Sequence, residues 1–402
     1  MIIYIILALF AGIIAGCITG LIPGIHINLV AAILLGFSVF FLSYFSPLTL
    51  AVFIASMAIT HTFLDYLPSI FLGAPDEDTI LSILPGHEML IKGRAHEAII
   101  LTLYGSVAAI FLTLLLTPVF IFLLPHIYSH ITRIMPFILI VASLFLFYFE
   151  KKSRIWAILI FILAGFLGIA ALNLPTKEPL LPLLTGLFGA SALITSIMKK
   201  QKIPKQKISK LKHIKIKKKS LARALLASLI ASPLVSFLPG LGSGQAAVIG
   251  SEVTGDLDRK EFLILLGAIN TMVAGLAFIA LYSIQKPRTG AAVAVGKLLT
   301  QISLYDLFYI LGSVVIAGIA AFFLTLFLAR IFSKNISKIK YHKISFAILI
   351  FLAAISFIFS GWMGFIVFIV STALGLTCIL LGIRRIHLMG CLLLPVILFY
   401  LL

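Results

Sequence analysis

The sequence predicts an all-α polytopic membrane protein, built from two inverted repeats of about seven spans that each carry a re-entrant hairpin. Composition, a duplicated helix break and the distribution of positive charge support this fold. Of the 402 residues, 62% are hydrophobic and 11% are charged, whereas a soluble domain is about half apolar and about a quarter charged. The apolar runs have the length of transmembrane helices and lack the short alternating segments of a barrel. We therefore expect a multi-pass protein of the plasma membrane.

The first half of the chain contains seven apolar stretches of helical length. They are predicted at 2–22, 27–44, 48–64, 98–124, 132–149, 154–173 and 178–197. Between the third and the fourth lies segment 68–93, which is too polar to cross a bilayer and too apolar for an ordinary loop. Non-helical backbone is tolerated at membrane depth where protein or a water-filled cavity covers it. This segment is therefore interpreted as a re-entrant hairpin.

The second half repeats this order. Its spans are predicted at 221–236, 244–257, 262–283, 304–330, 344–360, 362–383 and 386–402, and its hairpin at 286–303. The chain then divides into a first repeat at 1–198, a linker at 199–220 and a second repeat at 221–402.

The linker is strongly basic, since eleven lysines lie between positions 199 and 219. Basic loops stay in the cytoplasm under the positive-inside rule, and no aromatic side chains are interleaved to form a nucleic-acid platform. Further basic groups lie at 92–94, 151–154, 330–343 and 384–385. Even numbers of predicted spans separate these groups, so all of them fall on the cytoplasmic side. An odd number of crossings per half then gives the two halves opposite orientations, as in many transporters.

A proline–glycine break occurs in the matching place of each half. Proline removes a backbone donor and glycine permits turns that other residues resist. Paired breaks of this kind indicate a transporter's binding site, although a tight turn between helices is the alternative. Helix-end amides carry partial positive charge and suit a carboxylate or a phosphate. The predicted substrate-binding residues are Pro23, Gly24, His26, Asn28, Pro239, Gly240, Gly242, Ser243, Gly244, Gln245 and Arg288.

Acidic residues follow the third predicted span. Asp76 and Asp78 flank Glu77, and such residues are costly in a membrane unless they are hydrated, protonated or coordinated. They would bind Na⁺ or carry a proton, or else cap the helix that begins near Thr79. In the second half, Asn270 follows the stretch 265–268, which echoes 71–74 ahead of Asp76. Asp76, Asp78 and Asn270 are therefore predicted to bind the coupling cation.

Asp65 ends an apolar span, with His61 one helical turn earlier. The pair is either buried or marks the membrane interface. An intramembrane enzyme that uses Asp65, His61 or His87 would require two of these groups beside a substrate groove. No zinc-protease pair, nucleophile elbow or phosphate-cradling loop accompanies them. We expect neither an enzyme nor a resident metal or cofactor, with Na⁺ as a candidate coupling ion.

Several motifs resemble the TctA family, the large membrane subunit of the tripartite tricarboxylate transporters, and above all its stand-alone archaeal branch, which is classified as a domain of unknown function. They are the two proline–glycine segments and the stretches 68–79, 84–87, 92–98 and 286–290. The resemblance implies a permease for di- or tricarboxylates coupled to a cation. It also implies a small accessory membrane subunit and an extracytoplasmic binding protein as partners. The acidic stretch 73–78 replaces a glycine- and serine-rich segment of the bacterial proteins, which bears on tricarboxylate specificity.

The sequence therefore predicts a secondary transporter that moves a small organic anion, a carboxylate, with Na⁺ or H⁺ as the coupling ion. The alternative is a carrier of a lipid-linked polyprenyl phosphate, whose headgroup the same helix ends would bind. An amphiphile-sized groove open to lipid would favour this alternative. An intramembrane enzyme is the least favoured interpretation.

Overall fold

The computed structural model describes residues 2–23, 27–73, 79, 83–150, 152–198, 203–211, 214, 216–238, 241–255, 257–338 and 341–402. Throughout these ranges the regular structure is helical. The α-helices are α1 (Ile2–Leu21), α2 (Ile27–Gly36), α3 (Ser38–Leu42), α4 (Pro47–Leu64), α5 (Tyr66–Leu72), α6 (Ile83–Ile91), α7 (Ala95–Tyr148), α8 (Arg154–Asn173), α9 (Leu180–Leu184), α10 (Ser191–Met198), α11 (Lys218–Phe237), α12 (Ser243–Thr254), α13 (Arg259–Ile284), α14 (Gly290–Leu299), α15 (Leu304–Asn335), α16 (Tyr341–Leu381) and α17 (Gly390–Leu401). A π-helical turn, Thr185–Ala190, joins α9 to α10, and a short 3₁₀ helix, Arg385–Met389, precedes α17.

Nine helical segments in the described ranges are long and apolar enough to cross a membrane. This confirms an all-α, multi-pass protein. The break at Gly361 divides α16 where two spans were predicted, because Gly361 adopts a left-handed φ of 67° that glycine accommodates without a Cβ clash.

The spans predicted at 98–124 and 132–149 both lie in helix α7, which has no loop between them. Its 54 residues would measure roughly 80 Å as a straight helix at 1.5 Å per residue, but both ends meet the same region, where Glu97 pairs with Lys260 and Glu150 is linked through Arg384 to Glu252. One crossing of the hydrocarbon core needs about 30 Å. Pro118, Pro125 and Pro136 each remove one helical hydrogen bond inside it, yet the intervening polar residues continue the helix where the sequence suggested a loop.

Helices α4 and α13 form the centre of the bundle. They are the most deeply buried of the apolar segments, and they contact each other. Helices α1 and α15 pack against α4, whereas α7 and α11 pack against α13. A second group, α8, α10, α16 and α17, packs together with the π-helical turn beside this centre. The outward faces remain apolar, as at Phe308 and Phe323, which suits contact with lipid.

Small residues bring the helices together. Gly12, Gly16 and Gly20 recur every fourth residue along α1, and a Cβ on any of them would collide with α4. Lipid tails are as apolar as leucine, so helices in a membrane associate through close packing of small side chains. This glycine row, absent from our sequence interpretation, determines how α1 lies on α4.

Candidate functional site

A buried polar cluster lies where α4 and α13 meet. The side-chain amide of Asn270 donates to Asp65 Oδ2 at 2.7 Å, and only 3% of Asp65 and 4% of Asn270 are exposed. The hydroxyls of Thr62 and Thr271 lie 3.3 Å apart nearby. The structure thus resolves the alternative left open for Asp65 in favour of burial. It also joins a residue of the first half to one 205 positions later.

The polar side chains of this cluster follow the helical repeat. Thr62, Asp65 and Ser69 are spaced three and four residues apart, which places them along one face of the continuous segment formed by α4 and α5. His61 points toward α1, where its Nδ1 lies 3.1 Å from the hydroxyl of Thr19. Our sequence interpretation missed Thr62 and Ser69, although their spacing with Asp65 was a readable signal.

Pro68 alters the backbone of this segment. It lacks the N–H that would bond the carbonyl of Leu64 one turn earlier. The neighbouring bonds are intact, since Asp65 donates to His61 and Ser69 donates to Asp65 through their backbones. The carbonyl of Leu64, the residue before Asp65 in the chain, therefore has no helical donor at position 68.

Asn270 lies near the middle of α13. It is eleven residues beyond Arg259 in a helix of 26 residues, so it lies roughly 17 Å from one end of a helix about 39 Å long. The cluster is therefore distant from both ends of the bundle's most buried helix.

The first proline–glycine break is described in part. Pro23 is half-buried just beyond the end of α1. Gly24 and His26 lie outside the described residues. Asn28 belongs to α2, and its side chain is likewise outside the description. Their predicted role in substrate binding stays a prediction.

The second break is described from Leu241 onward, with Pro239 and Gly240 outside the described residues. Helix α12 begins at Ser243, and Gln245 accepts a hydrogen bond from the backbone N–H of Gly242 at 2.6 Å. Gln245 is buried, and its Nε2 has no hydrogen-bond partner among the described residues. Ser243 and Gly244 are buried beside it. Gln245 thus caps the start of α12 through its side-chain oxygen, and its Nε2 donor is unused among the described residues.

Arg288 contacts the chain ahead of the same break. Its Nη2 donates to the carbonyl of Phe237, the last residue of α11, at 3.0 Å. A cation at a helix C-terminus satisfies a free carbonyl and complements the helix dipole. The structure thus shows Arg288 stabilising this helix end, and its role as an anion clamp stays a prediction.

The described residues include only part of the predicted cation site. Asp76 and Asp78 lie outside them, whereas Asn270 lies at Asp65. The structure therefore pairs Asn270 with a carboxylate other than the two that the sequence favoured.

Ion pairs gather the basic loops at one end of the bundle. Lys260 and Arg94 both contact Glu97, with Lys260 Nζ 3.0 Å from Oε1, and Arg259 pairs with Glu88 at 2.7 Å. The backbone N–H of Lys207, in the linker, donates to the carbonyl of Gly93 at 2.8 Å. The linker therefore packs against the turn before α7.

A second buried ion network joins the α7–α8 turn to the second half. Glu150 Oε2 lies 2.9 Å from His387 Nε2 and 3.2 Å from Arg384 Nε, and Arg384 also reaches Glu252 at 3.5 Å. Burial acts to raise the pKa of Glu150, but hydrogen bonds from the Lys152 N–H, His387 and Arg384, with the charge of Arg384, outweigh it and lower that pKa. The native fold thus favours the ionised carboxylate.

The comparisons with known proteins agree with the motifs. The family model described as "Tripartite tricarboxylate transporter TctA family" matches residues 6–390. The chain belongs to the TctA family. A relative in Methanocaldococcus jannaschii, described as an uncharacterized protein, is 30% identical, and the match covers 98% of this chain and 99% of the relative. No solved structure matches the chain. The family resemblance predicted from the motifs is confirmed, and with it a membrane component of a transporter family.

Proposed function

We propose that this TctA-family protein is a secondary transporter that moves a small organic anion, a carboxylate, with cation coupling. The observation that carries the proposal is a mirrored pattern of helix packing. Helix α1 lies on α4 as α11 lies on α13, and α7 lies on α13 as α15 lies on α4. Each central helix thus receives one neighbour from its own half and one from the other half, as two repeats related by a two-fold axis would require.

In this proposal, the positions of the charged groups indicate how the two repeats are oriented in the membrane. The linker contacts the turn at Gly93, and α13 begins with Arg259 and Lys260 paired to acids of that same region. Arg384 joins the α7–α8 turn and the end of α12 through Glu150 and Glu252. These contacts support one cytoplasmic end that holds the lysine linker. They agree with halves of opposite orientation.

The anion would bind between the two proline–glycine breaks. Helix-end amides near Gly24 and Gly240 would meet its negative charge, with Ser243, Gln245 and Arg288 as side-chain donors. The unused Nε2 of buried Gln245 supports this placement. Helix α14 has ten residues, about half the length of a membrane crossing, and it packs on α2 and α4 of the first half. This short helix supports the predicted re-entrant hairpin at 286–303.

Alternating access would come from movement of one half against the other around this centre. Family membership supports the accessory membrane subunit and the extracytoplasmic binding protein as partners, because the family takes its name from tripartite transporters. Family membership also supports transport, and not catalysis, as the function.

One observation favours a lipid-linked phosphate as a second candidate substrate. An apolar groove of about 340 Å³ lies between α1, the α2–α3 region and α4, with Leu7, Leu34, Phe41 and Phe53 among its lining residues. Such a groove suits a hydrocarbon tail. None of its described lining residues is charged, so a phosphate headgroup would have to reach the helix ends elsewhere.

A thermal-shift screen of the purified full-length protein separates these candidates. Di- and tricarboxylates and short prenyl phosphates are added singly, with and without Na⁺, and hits are followed by uptake into liposomes. A ligand at a hundred times its Kd stabilises the native state by about 2.7 kcal/mol, a readily measured shift. Carboxylate binding followed by gradient-driven uptake supports the proposal. Binding of prenyl phosphates alone supports the second candidate, and uptake of no anion at all contradicts both.

A further inference from the structure

We propose that a groove between α7, α15 and the lysine linker binds an anionic phospholipid, with a tail in the groove and the phosphate on the lysines at the start of α11. The partner is a lipid of the surrounding membrane, in the leaflet on the linker's side. This lipid site is separate from the two proline–glycine breaks and from the apolar groove beside α1. It does not depend on which anion the protein transports.

The first step is the shape and chemistry of the groove. Its volume of about 670 Å³ lies within the range of about 300–1,000 Å³ that small-molecule sites occupy. None of its described lining residues is charged. Phe111 and Phe323 are exposed on the outside of the bundle, so the groove is open to lipid. Its lining residues include Tyr104 and Phe111 of α7, Ile319 and Phe323 of α15, and Ile216 and Leu221 on either side of three lysines.

The second step is that the linker is held against the protein beside this groove. The hydroxyl of Tyr104 donates to the carbonyl of Leu211 at 3.3 Å. Ile214 and Ile216 are half-buried and pack on the core. Earlier in the linker, the side-chain amide of Gln206 donates to the carbonyl of Leu90 at 3.0 Å, which anchors the linker at a second point. The lysines that follow Ile216 are therefore fixed near the rim of the groove.

The third step is positive charge that the protein does not neutralise. Lys217, Lys218 and Lys219 are exposed, and none of them forms an ion pair with another described residue. Helix α11 begins at Lys218 and has no acidic residue in its first turn, although the helix dipole disfavours cations at that end. An anionic headgroup supplies the missing negative charge. Basic clusters next to membrane helices attract anionic lipids for this reason.

The fourth step is a further cation on α15. Arg330 lies seven residues beyond Phe323 and eleven beyond Ile319, which is about two and three helical turns, so it shares their face of the helix. It is exposed and likewise forms no ion pair within the described ranges. It belongs to the basic group predicted on the linker's side, and a guanidinium can bind a phosphate through two hydrogen bonds. Any lipid tail fits the apolar walls, whereas the cations select a lipid with an anionic headgroup.

The first experiment locates the lipid in a bilayer. Full-length protein is placed in phosphatidylcholine vesicles that contain a trace of phosphatidylglycerol or of phosphatidylcholine, each with the same photoreactive diazirine in its tail. After irradiation, mass spectrometry should find that the phosphatidylglycerol probe labels the groove residues Phe111 and Phe323 more than the phosphatidylcholine probe does, by about fivefold or more. Phe308, exposed elsewhere on α15, should be labelled equally by both. Equal labelling of the groove by the two probes overturns the proposal.

The second experiment measures affinity through the thermal stability of the detergent-purified protein as dioleoyl-phosphatidylglycerol is added. Removing two charges with Lys218→Gln and Lys219→Gln should raise the lipid concentration required by about tenfold or more. The matched control, Lys205→Gln with Lys207→Gln, removes two exposed charges elsewhere in the linker and should keep the wild-type response. An equal loss in both variants, or equal stabilisation of wild type by inorganic phosphate, overturns the proposal.

Two further variants test the groove itself. Ala108→Phe narrows the groove and leaves every lysine in place, so it should also weaken the response to phosphatidylglycerol. An unchanged response would mean that headgroup charge acts alone, and it overturns the assignment of the groove. Phe323→Cys, in a background without native cysteines, should remain monomeric on oxidation in vesicles. Disulfide-linked dimers would show that a second copy of the chain covers the groove, which also overturns the proposal.

Discussion

Gly267 lies at a close contact between α7 and α13, and its substitution by alanine tests whether that contact holds the halves together. A Cβ built on Gly267 would lie 2.1 Å from the backbone oxygen of Thr102, in α7. The reciprocal contact is similar, since a Cβ on Gly105 would collide with the backbone oxygen of Ile264. Both obstructing atoms belong to backbone, so a change of side-chain rotamer cannot relieve either clash.

The expected cost follows from these distances. Ordinary contact begins at 3.4 Å, so Gly267→Ala forces the helices apart by about 1.3 Å locally, the difference between 3.4 and 2.1 Å. Overpacking of this kind costs about 1–3 kcal/mol. The separation also strains the hydrogen bond from the Ser106 hydroxyl to the Gly267 carbonyl, 3.0 Å long, and such interhelical bonds contribute about 0.6 kcal/mol. We therefore expect a loss of about 2–4 kcal/mol in the free energy of unfolding.

The assay is the unfolding of purified protein in detergent, followed by tryptophan fluorescence and by size-exclusion chromatography. Gly312→Ala in α15 is the matched control, because a Cβ there meets nothing within 4 Å. It should be neutral or slightly stabilising, since alanine favours helix more than glycine does. If Gly267→Ala unfolds no more readily than Gly312→Ala, close packing of α7 on α13 does not hold the two halves together.

Three further predictions concern the topology, the Glu150 ion network and the acidic stretch after α5. Single cysteines at Lys210 and Lys338, in a background without native cysteines, should both react with a membrane-impermeant thiol reagent from the cytoplasmic side, and labelling from opposite sides would contradict the topology. Because its partners lower the pKa of Glu150 below the ordinary 4.5, its stabilising effect is present above that value and is lost as the pH falls through the native pKa. Glu150→Gln should therefore cost about 1–3 kcal/mol at neutral pH, with a deficit that shrinks on acidification in chemical-denaturation curves; a constant deficit would refute the pairing. Asp76→Asn should abolish gradient-driven uptake while folded protein remains in the membrane if the acidic stretch takes part in coupling, and normal uptake would exclude that role.

Much of the helical framework could be predicted, because hydrophobic length and backbone breakers are local properties of the chain. The kink at Gly361 lies between two predicted spans, since glycine alone tolerates the left-handed backbone found there. The same local reasoning left a gap between the spans 98–124 and 132–149, where α7 remains helical. Each proline removes one hydrogen bond from the helix, and α7 continues through all three.

The candidate site was predicted in its chemistry but not in its pairing. Asn270 was selected because it follows a repeated motif, and Asp65 was noted as an acid at the end of a span. Their contact spans 205 positions, and no local pattern encodes it. The glycine contacts between α7 and α13 and between α1 and α4 set how closely the helices approach, and that approach selects which polar side chains meet.

The sequence by itself determined a basic, multi-pass helical protein of the TctA family with a broken helix in each half, because composition, proline, glycine and motif residues act where they stand in the chain. Tertiary structure alone decided that Asp65 is buried against Asn270, that Arg288 holds the end of α11, and that the lysine linker packs on the turn at Gly93. The physical reason is that helices in lipid gain little from burial and associate through shape and hydrogen bonding. Shape complementarity is a property of two surfaces, and it arises when the folded helices are placed together.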